Sequence, residues 1–356
     1  MNADSGALVP ETPVSETMGD EPLLTVGDLH TYLATGQGVV RAVDGVSFTV
    51  GQAEVIGIVG ESGCGKTVTC RTIMGLMPKR IAFSTGKVVY HPLGESNILD
   101  LSQSDMQHLR GAHLAMIFQD PMTALNPVRS IGDQLIEAVT AHARLSRQAA
   151  RERAIELLTR VGIPAPARRM RDYPFQFSGG MLQRALIAIA LASAPRLLLA
   201  DEPTTSLDVI IQDQILSLLL ELQRDTGMSM ILVSHDLAVI TEVCDRVIVM
   251  YGGQVVEEGD TATIITAPSH PYTKALLEAL PQADHRGPLR SIPGAPPSLI
   301  DIPAGCRFEP RCPLAKTECT SWVTELVEAD GAGHRARCWR HNEVGKVRAW
   351  QASESA

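Results

Sequence analysis

Neither lysine nor arginine occurs before Arg41, so the positively charged opening of a secretory signal is missing. Long apolar runs are missing as well. The longest, ALIAIALA from Ala185 to Ala192, falls well short of the roughly 20 residues that span a bilayer and reads as a buried helix. Positive charge is in deficit: 31 Lys and Arg stand against 40 Asp and Glu, a net charge of −9. That balance argues against a protein built to coat nucleic acid or an anionic lipid surface. These absences predict a soluble, cytoplasmic chain that could still dock on a membrane protein. With 356 residues, 45% apolar and 20% charged, it has material for a large core and for two or three domains.

Residues 1–21 are rich in Glu, Asp, Pro, Ser and Thr and poor in large apolar groups, which predicts a disordered acidic tail. From Leu23 onward short β-type runs alternate with helical patterns. SFTV, AEVIGIVG, AHLAMIF (Ala112 to Phe118), RLLLAD (Arg196 to Asp201) and SMILVSH (Ser229 to His235) are bounded by polar or glycine-containing turns. Such runs suit strands buried on both faces of a largely parallel sheet. Between Pro121 and Pro195 the pattern is mostly helical. Ser146 is placed to cap a helix that closes at Gly162, and a helix after Asp208 stops at Gly227. VIVMYGGQVVEEG reads as two strands joined at Gly252-Gly253. Proline becomes frequent from Ala267, marking a loop-rich extension.

GESGCGKT, from Gly60 to Thr67, lies between an apolar strand and a helix and satisfies G-x-x-x-x-G-K-[ST] in the context that motif requires. Glycines let successive backbone N–H groups turn inward around phosphate oxygens, and the helix start adds partial positive charge. Gly60, Glu61, Ser62, Gly63, Cys64 and Gly65 then form the cradle. Lys66 reaches the terminal phosphates, and the Thr67 hydroxyl ligates Mg²⁺. Cys64 is read as a small residue that fits. LLLADEPTTSLD supplies a second half: Asp201 closes an apolar strand, where it can hold Mg²⁺, and Glu202 follows, where a carboxylate can deprotonate an attacking water. The alternative for this acidic pair is capping of the next helix, which leaves its pairing with a phosphate loop unexplained.

Three further stretches, FSGGMLQR (Phe177 to Arg184), MIFQDP around Gln119 and LVSHD around His235, resemble the signature motif, Q-loop and H-loop of ABC-type ATPases. With the phosphate loop and the acidic strand end they follow the family order. The resemblance implies an α/β P-loop NTPase fold of the ABC type over residues 22–262, with a helical subdomain at about 121–195. It implies ATP and Mg²⁺ as ligands, with Gln119 contacting the metal and the attacking water and His235 touching the γ-phosphate. Ser178, Gly179 and Gly180 would cradle ATP held by a second, similar subunit, and Asp208 would lie between the two sites. Tyr32 is the candidate to stack on adenine, its other reading being simple packing. One departure is SGGM where many members carry SGGQ; Met181 cannot hydrogen-bond as Gln does. The peptide-import branch resembles this chain in having Met there.

The last part of the chain sharpens that branch. HPYTKALLEALP, IPGAPPSL and GCRFEPRCPLAKTEC resemble the C-terminal extension of dipeptide and oligopeptide importer ATPases, a group with relatives serving nickel and glutathione; here it spans about 263–345, with 346–356 as a tail. Cys306, Cys312, Cys319 and Cys338 are spaced C-x5-C-x6-C-x18-C and can converge on one metal. Arg307, Arg311, Arg337 and Arg340 surround them and would favour thiolates. Disulfides are disfavoured in a reducing compartment, and the tight knuckles of structural zinc are absent. A [4Fe–4S] cluster, which the resemblance implies for some importers, zinc, and unligated buried cysteines all remain open. His334 and His341 read as surface residues. The resemblance further implies two transmembrane permease subunits and an extracytoplasmic binding protein as partners. It places the chain peripherally on the cytoplasmic face of the inner membrane, with no nucleic acid. A repair or translation ATPase is disfavoured by the short Gln119-to-Ser178 interval and the single phosphate loop, and an exporter by the absence of fused membrane helices. A redox or iron sensor built on the cysteines is the reading from a different class.

Overall fold

The computed structural model describes residues 21–205, 207–280, 291–321, 325–329, 331 and 333–346. The expected tails at 1–21 and 346–356 therefore lie almost wholly outside the described residues. Eleven strands are described: β1 (Leu24–Thr35), β2 (Gly38–Val50), β3 (Val55–Val59), β4 (Ala82–Tyr90), β5 (Leu114–Ile117), β6 (Leu197–Asp201), β7 (Ser229–Ser234), β8 (Arg246–Tyr251), β9 (Gln254–Asp260), β10 (Val327–Glu328) and β11 (Arg335–Ala336). Twelve helices join them: α1 (Lys66–Ile73), α2 (Gln103–Ala112), α3 (Pro121–Ala124), α4 (Ile131–Thr140), α5 (Arg147–Arg160), α6 (Pro166–Arg169), α7 (Gly179–Ala190), α8 (Val209–Thr226), α9 (Leu237–Val243), α10 (Thr261–Thr266), α11 (Pro271–Glu278) and α12 (His341–Val344).

The larger sheet runs β10-β11-β9-β8-β3-β7-β6-β5. Its centre, β8-β3-β7-β6-β5, is parallel throughout, as the continuous apolar runs predict. Alternation explains how both faces are covered. Ile56, Ile58, Leu197, Leu199, Ile231 and Val233 enter one apolar cluster, with α1 and the smaller sheet. Val55, Val59, Leu198, Ala200, Met230 and Leu232 enter the other, with α4, α5, α7 and α8. The segment 121–195 is mostly helical, and α7 carries the ALIAIALA run as far as Ala190, burying Ala185 to Ala188 in the core.

Local signals act where the sequence puts them. Ser146 accepts from the Ala149 amide at the start of α5, and Gly162 closes it in a left-handed conformation. Gly227 does the same for α8. Two features differ from expectation. The early β-runs are not short: β1 and β2 are 12 and 13 residues long and form, with β4, an antiparallel sheet ordered β2-β1-β4. Register shifts at Val26/Leu29 and Thr31/Tyr32 break their alternation, which hides their length in the sequence. The C-terminal extension, in turn, adds β11 antiparallel to β9 and seats Tyr272 and Phe308 in the main core.

Candidate nucleotide site and thiol cavity

Sheet order builds the first site. Strands β3, β7, β6 and β5 are adjacent and parallel, so the residues leaving their C-terminal ends gather along one edge, where open α/β sheets place ligands. These residues are the Gly60–Thr67 loop, His235, Asp201 with Glu202, and Gln119. Three glycines of the loop have positive φ: +152° at Gly60, +80° at Gly63 and +107° at Gly65. At Gly60 and Gly65 a Cβ would also strike the carbonyls of Met250 and Ala42, so both geometry and space require glycine. Helix α1 starts on Gly65 with no side-chain cap and no acidic residue in its first turn. Its N-terminal amides are therefore left to an anionic ligand. Lys66 is only 4% exposed and its Nζ donates to the carbonyls of Gly60 (2.6 Å) and Glu61 (3.1 Å). Cys64 is buried, and burial pushes its thiol pKa up.

Beside the loop, Thr67 Oγ1 donates to Asp201 Oδ1 at 2.8 Å. Asp201 is fully buried, its second oxygen has no hydrogen-bond partner, and burial raises its pKa. A buried carboxylate oxygen without a donor is costly. Here it has the hard oxygen chemistry a divalent cation takes, next to a hydroxyl that can share the ion, so the residues fit Mg²⁺. Glu202 is the next residue, in a left-handed conformation at φ +46°, a strained backbone for a non-glycine. Its Oε2 gathers three partners: Gln119 Nε2 at 3.0 Å, Thr205 Oγ1 at 2.9 Å and His235 Nδ1 at 3.2 Å. A carboxylate only accepts, so His235 donates through a protonated Nδ1. Gln119 and His235, 83 and 33 residues from Glu202, thus meet on one oxygen. Thr205 was not singled out in the sequence; a hydroxyl three residues after the acidic pair is the signal that could have found it.

Other candidates lie apart. Ser178 caps α7, accepting from the Met181 amide at 3.4 Å, and Ser178 and Gly179 are exposed. Met181 packs against the core. Asp208 caps α8 through the Ile211 amide at 3.0 Å, and the next two residues, Val209 and Ile210, are 79% and 72% exposed. Tyr32 is half-buried: its hydroxyl donates to Asp44 Oδ1 at 2.6 Å and Arg41 lies 5.7 Å from its ring. Burial and the Asp44 carboxylate push its pKa up to about 12.

Residues 43–205 match the ABC transporter family model, and residues 256–319 match that of the oligopeptide/dipeptide transporter C-terminal region. The chain is 50% identical over 314 residues to a dipeptide transport ATP-binding protein of Escherichia coli, covering 87% of this chain and 94% of that one. It is 47% identical over 326 residues to the counterpart in Bacillus subtilis, covering 91% and 96%. A bacterial ABC transporter cassette solved as a dimer superposes with a TM-score of 0.60 at 26% identity, covering 67% of this chain and 98% of that one. The chain belongs to the ABC transporter family. It is an ABC-type ATPase with a P-loop NTPase fold, and no helix among its described residues is long and apolar enough to cross a membrane.

In this ABC ATPase the four C-terminal cysteines line one cavity, together with His270, Phe308, Leu314 and Trp339. The expected stabilisation of thiolates by arginine is outweighed by burial. Burial pushes the Cys312 and Cys338 thiols up to about 12, and Cys306 upward as well. Arg307 and Arg311 are engaged away from the cavity, and Arg337 and Arg340 line it. Arg307 pairs with Asp44 and the Gly252 carbonyl; Arg311 pairs with Glu61. Arg337 donates to the Val255 carbonyl, and Arg340 to Glu343 and the Leu314 carbonyl. Arg307 and Arg311 thus reach past the sulfurs, whereas Arg340, at the thiol cavity, lowers the Cys338 pKa against the larger effect of burial. Sulfur donors facing one cavity have the chemistry of a soft metal or cluster ligand set, and binding would displace their protons. No group of three or more His, Cys, Asp or Glu among the described residues is arranged to hold a metal ion. His334, expected on the surface, is 3% exposed and pairs with the fully buried Glu257 at 2.7 Å. His341 is half-buried, its Nδ1 3.0 Å from the Cys338 carbonyl oxygen.

Proposed function

We propose that this chain is the ATP-hydrolysing subunit that powers import of dipeptides or short peptides through partner permeases. The observation that carries the catalytic part is the convergence of Gln119, Thr205 and His235 on Glu202 Oε2, beside the Thr67–Asp201 pair. The relatives' names supply the cargo class. Gly60 to Gly65 and the start of α1 cradle the phosphates, and Lys66 turns from its carbonyl partners to the terminal phosphates. Thr67, Asp201 and Gln119 hold Mg²⁺, which neutralises phosphate charge when bound. Glu202 takes the proton of the attacking water as the new P–O bond forms and the bond to ADP breaks, and His235 contacts the γ-phosphate. Tyr32 faces adenine, and ring stacking needs only a face of its half-exposed ring.

Ser178, Gly179, Gly180 and Asp208 complete the site of a second ATPase subunit. The exposure of Ser178, Gly179 and Asp208 and the apolar Val209 and Ile210 beside them support a face covered by another chain, and one solved relative is a dimer bound to ADP and phosphate. ATP favours the closed pair by binding it more tightly, which is what moves the attached permeases. Met122, Val128 and Phe175, 56%, 80% and 71% exposed, lie on the segments following Gln119 and preceding Ser178. They support a permease-docking face and hence peripheral attachment at the cytoplasmic side, with a substrate-binding protein delivering the peptide. Cys306, Cys312, Cys319 and Cys338 hold a [4Fe–4S] cluster; the supporting observation is their shared cavity. Residues 22–262 form the cassette, with 121–195 as its helical part and 263–345 as the extension.

Glu202→Gln in the assembled transporter tests the mechanism: hydrolysis falls by at least about 10²-fold while MgATP still binds. Turnover equal to wild type removes Glu202 from its role. Anaerobically purified protein that is colourless and free of iron and sulfide refutes the cluster.

A further inference from the structure

We propose that Arg311 is a positioning residue for the phosphate loop, making the four-cysteine segment part of the ATP site. The C-terminal extension grips Glu61 twice. The Glu61 amide donates to the Tyr272 hydroxyl at 2.8 Å, and its carboxylate receives Arg311 Nη1 at 2.7 Å and Nη2 at 2.9 Å. That fork-on-fork pairing is the strongest and most directional of the ionic hydrogen bonds. Arg311 is itself held. Its Nε donates to the Pro293 carbonyl at 2.7 Å, its guanidinium carbon lies 5.8 Å from the Tyr251 ring centre and 6.0 Å from that of Phe308, and the residue is 8% exposed. On the loop side, the Glu61 carbonyl accepts from both Lys66 Nζ and the Cys64 amide. Any displacement of Glu61 is therefore passed to the residues that meet phosphate.

Electrostatics gives the clamp a purpose. A bare carboxylate at the second position of a phosphate loop repels a polyanionic ligand. Arg311 neutralises Glu61 and fixes it toward the extension. The same peptide carries the link to sulfur: Arg311 precedes Cys312, and Arg307, which binds Asp44 under the Tyr32 hydroxyl, follows Cys306. Both cysteines line the thiol cavity. Coupling between two sites is reciprocal, so a nucleotide that orders the loop also orders these two thiols. The inference rests on ATP binding at this loop and not on what the thiols hold.

The test is a binding cycle on the full-length protein, using MgATP as the probe and thermal melting to verify folding. Arg311→Ala weakens MgATP affinity about tenfold, in KM far more than in kcat, because it leaves Glu61 charged and loose. Glu61→Gln alone, losing the clamp without adding repulsion, weakens it about threefold. The double variant resembles Glu61→Gln instead of multiplying the two losses. Arg311→Lys, which keeps the charge, lies between wild type and Arg311→Ala and serves if the alanine variant does not fold. In metal-stripped protein, MgATP slows alkylation of Cys306 and Cys312 by a maleimide, and this protection disappears in the Arg311 variants. Wild-type affinity in Arg311→Ala or Arg311→Lys, multiplicative losses in the double variant, or alkylation indifferent to MgATP would overturn the proposal. Failure of the wild-type protein itself to bind MgATP would instead overturn the ATPase reading.

Discussion

The nucleotide site and the thiol cavity are both assembled from residues far apart in sequence, but by different means. At the nucleotide site a parallel sheet does the assembling. Four adjacent strands end on one edge, and the side chains just beyond them meet whatever the intervening helices do. At the thiol cavity regular structure contributes little: short 3₁₀ turns, two-residue strands and loops are fixed by ion pairs to the cassette, Arg307 to Asp44, Arg311 to Glu61 and Arg335 to Glu258. Backbone ladders fix position by geometry that many sequences satisfy, whereas loops held by side-chain pairs depend on each partner. The first region should therefore fail chemically when altered and the second structurally.

Lys66→Ala gives the largest effect. It removes the cation that meets the phosphates, and MgATP binding and turnover fall by more than about 10²-fold. The melting temperature without nucleotide changes little and the cysteine segment keeps any metal it holds; a large fall in melting temperature would break the contrast. His334→Ala does the reverse. It leaves the Glu257 carboxylate buried with the Ser269 and His270 amides at 2.6 and 2.9 Å as its remaining partners, and destabilises the fold by about 3 kcal/mol, read from denaturant midpoints. An unchanged midpoint would show that loops beside β9 do not depend on this pair. Cys312→Ser comes next: bound iron is lost, and MgATP affinity falls about threefold through the loosened Arg311. Tyr32→Phe is the smallest. It deletes the bond to Asp44 for about 1 kcal/mol or less and leaves the ring for stacking, so MgATP affinity is retained; a tenfold loss of affinity would mean that the hydroxyl positions the base.

Much of the nucleotide site is legible in the chain, because its residues sit where local rules speak: glycines before a helix start, an acidic pair at the end of an apolar run, Gln119 and His235 just after apolar runs. That Gln119 and His235 share one oxygen of Glu202 is not legible, since strand order decides it and strand order is not written in hydrophobic periodicity. The long β1–β2 hairpin stayed hidden because its bulges interrupt the alternation that announces a strand. His334, Arg307 and Arg311 differ from the sequence expectation for a related reason. A polar side chain in a loop-rich stretch carries no periodic signal, and its partner is chosen by what the folded cassette presents.

By itself, then, the sequence determined where the central parallel strands and the capped helices lie, where the phosphate loop turns and which chemistry is present. Those outcomes follow from interactions within a few residues and from a pattern of burial that repeats along the chain. Only the tertiary structure decided that the C-terminal segment reaches the phosphate loop, that burial raises the thiol pKa values of Cys306, Cys312 and Cys338 while Arg307 and Arg311 bind carboxylates of the cassette, and that Ser178 faces outward. Desolvation and ion pairing depend on distances between residues hundreds of positions apart, and those distances exist only once the chain has packed.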